Sequence, residues 1–294
     1  MRDRELQFDP SRAGPKGLRV GPGLHFPILA EGLDLALHYG WFAEPGLVDD
    51  SLATLREGQA AFTAEVTKLV GSSARRVLDV GTGRGETARA LAEAGAEVLT
   101  LSPDRNQGEW LGRSPHPRIA FQRLRFEDLP ANSQAPFDVV VFSESSNYVA
   151  LDNLLAHSAA LTHPGGSLVV AAPFLRGPSS ATYRDMHGAS ELRARLARSP
   201  WRIVTEHDFT ENVAPTLRIG QRLVERRVVP SARAIDGYLS QHGPLPLRLL
   251  SWLFRSYRRR GLALLERELP ALLDERTFER DVAFLFLKLV KVTQ

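Results

Sequence analysis

The chain has 294 residues, 43% hydrophobic and 24% charged, a composition that suits a globular protein with a sizeable core. It has no cysteine, which excludes disulfides, thiolate metal sites and cysteine nucleophiles, and a net charge of +3 gives no ground for a nucleic-acid partner. No run of about 18 apolar residues exists to span a membrane. The opening Met1-Arg2-Asp3-Arg4-Glu5 lacks the apolar core of a signal peptide, so a cytoplasmic location is expected.

Residues 1 to about 23 are polar and rich in glycine and proline, which reads as a mobile arm. An apolar, aromatic piece follows, with Phe26 and then His38-Tyr39-Gly40-Trp41-Phe42. It reads either as a helix covering one edge of the core or as a lid. Leu52 to Val70 has helical spacing, with Leu55, Phe62, Val66 and Leu69 able to share a face. Val77, Leu78 and Val80 then form a short buried strand, and Gly81, Gly83 and Gly85 follow at alternate positions before a helix from Thr87 to Ala94. A strand, a glycine turn and a helix bring backbone close to a nucleotide. The spacing here is G-x-G-x-G, not the G-x-G-x-x-G of dinucleotide binders, which disfavours an NAD-dependent reductase. An acid, Asp79, stands inside the strand end.

Glu97 to Leu101 reads as a second strand, followed by Ser102-Pro103-Asp104-Arg105-Asn106-Gln107. Ile119 to Arg123 is a weak third strand, leading to Phe126-Glu127-Asp128-Leu129-Pro130. Phe137 to Phe142 is apolar after Asp138 and reads as a strand buried on both faces. It runs into Ser143-Glu144-Ser145-Ser146-Asn147-Tyr148, which an open parallel sheet would place at its ligand-bearing edge. Leu151 to Leu161 is helical. Pro164-Gly165-Gly166 is expected to turn into a fifth strand, Ser167 to Ala172. A helix at Glu191 to Arg198, a strand at Trp201 to His207 and an apolar final strand at Asp281 to Val292 complete the alternation. Between the last two strands lie roughly seventy residues of helical periodicity, far more than an ordinary loop. The expected helices there are Leu217 to Val229, Ala232 to Gln241, Leu247 to Arg260 and Leu262 to Leu273. The eight histidines show no metal-ligand spacing, so no metal site is expected.

The acid in the first strand, the three glycines, Glu127-Asp128-Leu129-Pro130 and the glycine pair before the fifth strand resemble, in order, the motifs of class I S-adenosylmethionine-dependent methyltransferases. The resemblance covers residues 55–212 and the last strand. It implies an α/β fold, a doubly wound seven-stranded, mostly parallel sheet with a helical cap. The implied organisation is an arm and lid at 1–54, a core at 55–212 and 281–294, and a cap insertion at 213–280. The implied cofactor is S-adenosylmethionine, held near Asp79, Gly81, Thr82, Gly83, Gly85 and Ser143, with Phe126 and Glu127 flanking the adenine. At the end of the second strand such enzymes usually carry an acid for the ribose. Here Ser102 stands about there, within a Thr-Leu-Ser and Asn-Gln pattern similar to the cyclopropane synthase group, so Thr100, Ser102, Asp104 and Gln107 are all candidates.

The string from His38 to Phe42 looks like the aromatic lid of sterol, tocopherol and cyclopropane methyltransferases, with Tyr39 and Trp41 toward the substrate. Phe142-Ser143-Glu144-Ser145-Ser146-Asn147-Tyr148-Val149 resembles the segment after strand four in sterol, tocopherol and prenyl-diphosphate C-methyltransferases. In those families a carboxylate stabilises a carbocation and accepts its proton. Related O-methyltransferases carry a histidine base where Asn147 and Tyr148 stand. The resemblance thus implies methylation of a hydrophobic small molecule, isoprenoid or lipid-like, at carbon, with Glu144 central and Asn147 beside it. The alternatives are O- or N-methylation of a natural-product intermediate with His38 or Tyr148 as base, and a cofactor-binding protein without transfer activity. A structural reading of Glu144 has it capping the next helix or holding Arg84. The basic stretch 247–260 reads as the solvated face of a cap helix, as a peripheral membrane contact, or as a site for an anionic group.

Overall fold

The computed structural model describes residues 32–131, 135–183, 185–238 and 261–292. The expected arm, Phe26 and the basic stretch 247–260 lie outside these residues. The chain runs through α1 (Leu52–Val70), β1 (Arg76–Val80), α2 (Glu86–Glu93), β2 (Glu97–Leu101), α3 (Arg105–Arg113), β3 (Ile119–Gln122), β4 (Phe137–Ser143), α4 (Leu151–Leu161) and β5 (Thr162–Leu175). Next come α5 (Ala189–Leu196), β6 (Trp201–Asp208), α6 (Thr210–Val213), α7 (Pro215–Leu223) and α8 (Val229–Gly237). The described chain closes with α9 (Leu269–Leu272), α10 (Glu275–Asp281) and β7 (Val282–Lys291).

The strands make one seven-stranded sheet in the order β3-β2-β1-β4-β5-β7-β6. The first five in that order are mutually parallel, and β7 runs antiparallel to both β5 and β6. Side chains alternate across the sheet as the strand period requires. In β4, Val139 and Val141 join one core while Val140 and Phe142 join the other. In β7, Phe284 and Phe286 face the first of these cores, and Leu285, Leu287 and Leu289 the second. Phe62 and Val66 of α1 with Leu91 of α2 fill the first. Leu154 of α4 and Leu192 of α5 fill the second. Helices thus cover both faces, as a doubly wound sheet demands.

Three local expectations are corrected. The glycine pair does not precede β5 as a turn: β5 starts at Thr162, directly after α4, and absorbs Pro164, Gly165 and Gly166 through a register shift between Phe137 and Val139. Gly166 fits there because a Cβ would come within 2.9 Å of the Asp138 carbonyl. The expected helix to Val229 changes to wider π winding at Val224–Val228, and a second π segment occupies Leu264–Glu268. α10, capped by the Asp274 carboxylate on the Thr277 N–H, was not anticipated.

Candidate active site

β1 ends in a glycine turn whose peptides are tied to the next strand. The Gly81 and Thr82 N–H groups both donate to the Leu101 carbonyl, at 2.8 and 3.3 Å. Gly81, Gly83 and Gly85 have φ of 89°, 56° and 92°, values that favour glycine, and Gly85 leads straight into α2. The nearest atom to a Cβ at Gly83 would be Glu86 Oε2, 3.8 Å away, so this peptide has an open face. The Gly83 N–H donates to Gln107 Oε1 at 3.1 Å, which brings α3 against the turn.

Under the turn lies Asp79, 1% exposed. Its Oδ2 accepts from the Thr100 hydroxyl at 3.1 Å, and Thr100 meets the Thr82 hydroxyl at 2.5 Å. Its Oδ1 has no hydrogen-bond partner among the described residues. Burial pushes the Asp79 carboxyl up to about 7, against the pull of the Thr100 hydrogen bond. Thr100 is therefore engaged inward. Ser102, buried at the end of β2, accepts from the Asp104 N–H at 3.1 Å. Of the candidates at this strand end, Gln107 is the one whose amide touches the glycine turn.

Beside the turn, β4 delivers Ser143, Glu144 and Ser145. Glu144 has φ of 58°, an uncommon left-handed conformation for a side-chain-bearing residue. Its N–H donates to the Ala171 carbonyl at 2.8 Å, and its Oε1 accepts from the Tyr39 N–H at 2.7 Å. Glu144 thus holds neither Arg84 nor a helix end. Arg84 instead donates to the Leu35 carbonyl at 2.7 Å and pairs with Asp34. Burial pushes the Glu144 carboxyl up to about 8, with the Tyr39 N–H pulling the other way. Ser145, which the sequence reading passed over, donates its hydroxyl to the Val80 carbonyl and so joins the exit of β4 to that of β1. It belongs to the Glu144 segment already singled out; the signal for its own role is the side-chain-free position at Gly81.

The residues from 33 to 42 form a strap across this edge. Tyr39 faces Glu144 through its backbone, while its ring stacks on Phe278 at 5.6 Å and meets Phe284 edge-on at 5.2 Å. Trp41 packs edge-on against Phe209 at 5.7 Å. Both rings thus lean on the sheet core. His38 turns away from Glu144: Nδ1 lies 2.8 Å from the Tyr39 carbonyl, Nε2 lies 3.3 Å from the Thr63 hydroxyl, and the ring stacks on Phe62. Burial holds its pKa below the ordinary histidine value. It lines a polar cavity of about 650 Å³ shared with Gln59, Thr63, Arg84 and Glu86.

Four other expected residues have the following surroundings. The Phe126 ring is 3% exposed and packs edge-on against Phe142 and His157, inside the core. Its neighbour Glu127 is exposed. Asn147 donates to the Pro173 carbonyl and accepts from the His187 N–H, so its amide joins these two segments. Tyr148, 62% exposed, lies at the outer end of the turn after Glu144.

A family model described as a methyltransferase domain matches residues 54–207. The ubiquinone biosynthesis O-methyltransferase of Xylella fastidiosa (strain 9a5c) is 36% identical over 112 residues, 36% of this chain and 44% of that protein. The matched stretch therefore spans less than half of that curated relative. Among solved structures, the [4+2]-cyclase SpnF superposes with a TM-score of 0.66 at 18% identity, over 92% of this chain and 94% of that one. The geranyl diphosphate C-methyltransferase of Streptomyces coelicolor A3(2) gives 0.64 at 15% identity, over 90% and 93%. At such identities the two structures speak for the fold.

Proposed function

Because the chain belongs to the methyltransferase-domain family, we propose that it transfers a methyl group from S-adenosylmethionine to an apolar small molecule, with Glu144 taking up the proton the acceptor loses. The residues present suit that cofactor. Asp79 offers a buried carboxylate oxygen without a partner, fit for a cationic group. The open peptide at Gly83 and the Gln107 amide over it are fit for the nucleoside side. The bound cofactor supplies an electrophilic methyl on a sulfonium.

What the chain's own residues contribute is orientation, exclusion of water and a place for the proton. The observation that carries the reading is Glu144. It sits at the carboxyl end of a central strand in a strained conformation, gripped by the strap, with its carboxyl near 8. A base is most effective when its pKa lies near the working pH. When the acceptor's carbon or oxygen gains the methyl group, one proton must leave it, and the ionised Glu144 accepts it.

Carbon is the acceptor atom we favour, on the resemblance of the Glu144 segment to C-methyltransferases and because His38 is turned away from that carboxyl. Oxygen is the second reading, favoured by the Xylella relative, an O-methyltransferase. A methyl-labelled cofactor, offered with pooled lipid extracts and phenolic metabolites, separates the two by the position of the label. Label on a hydroxyl, undiminished in Glu144→Gln, would reject the carbon reading and the role of Glu144 together. Tight cofactor binding with no label on any acceptor would reject catalysis.

A further inference from the structure

Glu144 is gripped through a single peptide unit. The Tyr39 N–H that donates to Glu144 Oε1 at 2.7 Å belongs to the same planar group as the His38 carbonyl. That carbonyl accepts from Gln59 Nε2 at 2.7 Å. A trans peptide points its N–H and C=O in opposite directions, so Gln59 and Glu144 hold the two ends of one plane. Gln59 is 6% exposed on α1, a position that helical spacing alone marks as ordinary core. The rest of its amide also serves the strap: Oε1 accepts from the Ala36 N–H at 2.9 Å, and Nε2 donates to the Ala36 carbonyl at 3.1 Å. A buried amide with three bonds to two nearby strap residues fixes the strap's register.

We propose that Gln59 is a positioning residue for the reaction: by holding the 38–39 peptide it sets the N–H that supports the Glu144 carboxylate. The inference rests on the reading of Glu144 as proton acceptor. The physical link has two parts. Anchoring the carbonyl fixes the plane's rotation, and so the direction of the Tyr39 N–H. A hydrogen bond donated to the carbonyl also polarises the peptide and strengthens its N–H as a donor. The titratable groups within electrostatic reach of Glu144 are the phenols of Tyr39 and Tyr148, neither of which is bonded to it. A free phenol ionises near 10, so both stay neutral where Glu144 titrates.

The test follows the Glu144 carboxyl carbon by NMR in protein carrying 13C-labelled glutamate, assigned with Glu144→Gln. Gln59→Met removes every bond to the strap, and Gln59→Asn withdraws the amide by one methylene. Thr67→Val is the control: Thr67 lies on the same helix and bonds to the Thr63 carbonyl, away from the strap. Loss of an N–H donor to the ionised form raises a carboxyl pKa, so the midpoint should move up by about one pH unit in Gln59→Met. It should move by less in Gln59→Asn, and not in Thr67→Val. An unmoved midpoint in both Gln59 variants, or an equal shift in the control, would overturn the proposal. The titration needs no turnover. A shift in Glu144 alongside a wild type that methylates nothing would sustain the positioning role and sink the catalytic reading. Where transfer is measured, the rise of rate with pH should move to higher pH by the same amount.

Discussion

Gly81 and Ser145 stand so close that a Cβ on the glycine would lie 2.5 Å from the Ser145 Cβ. Real side chains do not approach to that distance, so the exits of β1 and β4 can meet only if one residue has no side chain. The φ of 89° at Gly81 adds a second reason for glycine.

Gly81→Ala should therefore be costly in the free protein, by about 2–3 kcal/mol, through overpacking and left-handed strain together. Urea unfolding should show the midpoint falling with the slope unchanged. Gly83→Val meets open space and should cost only about 1–2 kcal/mol of strain. It should nevertheless abolish S-adenosylhomocysteine binding in calorimetry, because its side chain occupies the open face of the turn. The two variants separate a glycine kept for packing from a glycine kept for a ligand.

Asp79 ties cofactor affinity to pH. Its folded pKa of about 7 lies above the ordinary aspartate value, so the carboxyl is neutral in acid and ionises as pH rises through 7. A cationic partner binds the ionised form. Affinity for S-adenosylhomocysteine should fall below pH 7, approaching tenfold per unit well below it, and calorimetry at pH 5.5, 7 and 8.5 measures the trend. Without ligand the sign reverses for stability. A raised carboxyl pKa means that the folded state loses stability as pH climbs from about 4 to 7. Asp79→Asn should bind cofactor weakly at every pH, and its melting temperature should drop less across that window.

Glu144→Gln should leave S-adenosylhomocysteine affinity unchanged within about twofold and lower methyl transfer by about a hundredfold or more. With its carboxyl raised to about 8 from an ordinary value of 4.5, Glu144 costs the fold stability as pH rises between the two. The amide variant should accordingly melt higher than wild type above pH 5, by about 2 °C once solvent screening is allowed for. A parallel drop in stability and transfer would mark Glu144 as a structural residue.

Lys288 of β7 donates to the Val70 carbonyl at the end of α1, at 3.1 Å. Lys291 donates to the Ala159 and Thr162 carbonyls at the end of α4, both at 2.7 Å. Cations suit helix C-termini, where carbonyls lack partners. Lys291→Met should cost about 1 kcal/mol, and Lys288→Met somewhat less, read from thermal or urea unfolding, with cofactor affinity unchanged.

The sheet was legible because its strands are short apolar runs between turn residues, and Val139 to Phe142 or Phe284 to Leu287 admit no other reading. α1 was legible to its ends at Leu52 and Val70, and the structure adds the Ser51 cap and the Gly71 terminator. The glycine turn with Asp79 was legible because its chemistry is local. What depends on distant partners was not. Asn147 reads as a site residue, and no motif tells that Pro173 and His187, 26 and 40 residues away, bond its amide. Phe126 reads as an adenine neighbour, and no motif tells that Phe142 and His157 close around its ring. Tyr39 and Trp41 read as a lid. The geometry adds that their rings lean inward and that Tyr39 meets Glu144 through its backbone, which no side-chain pattern encodes.

The place of β7 in the sheet bears on how a growing chain can fold. Among the described residues β6 pairs with β7 alone, and β7 fills the gap between β5 and β6. A ribosome emitting this chain releases β5 and β6 well before the strand that joins them. Until Val282–Lys291 emerges, the apolar edge of β5 has no partner on that side and β6 has none at all. The half of the sheet that carries the glycine turn can assemble early, from β1 to β5. The other half must wait, and a nascent chain halted before residue 282 would present exposed strand edges to chaperones or to its neighbours.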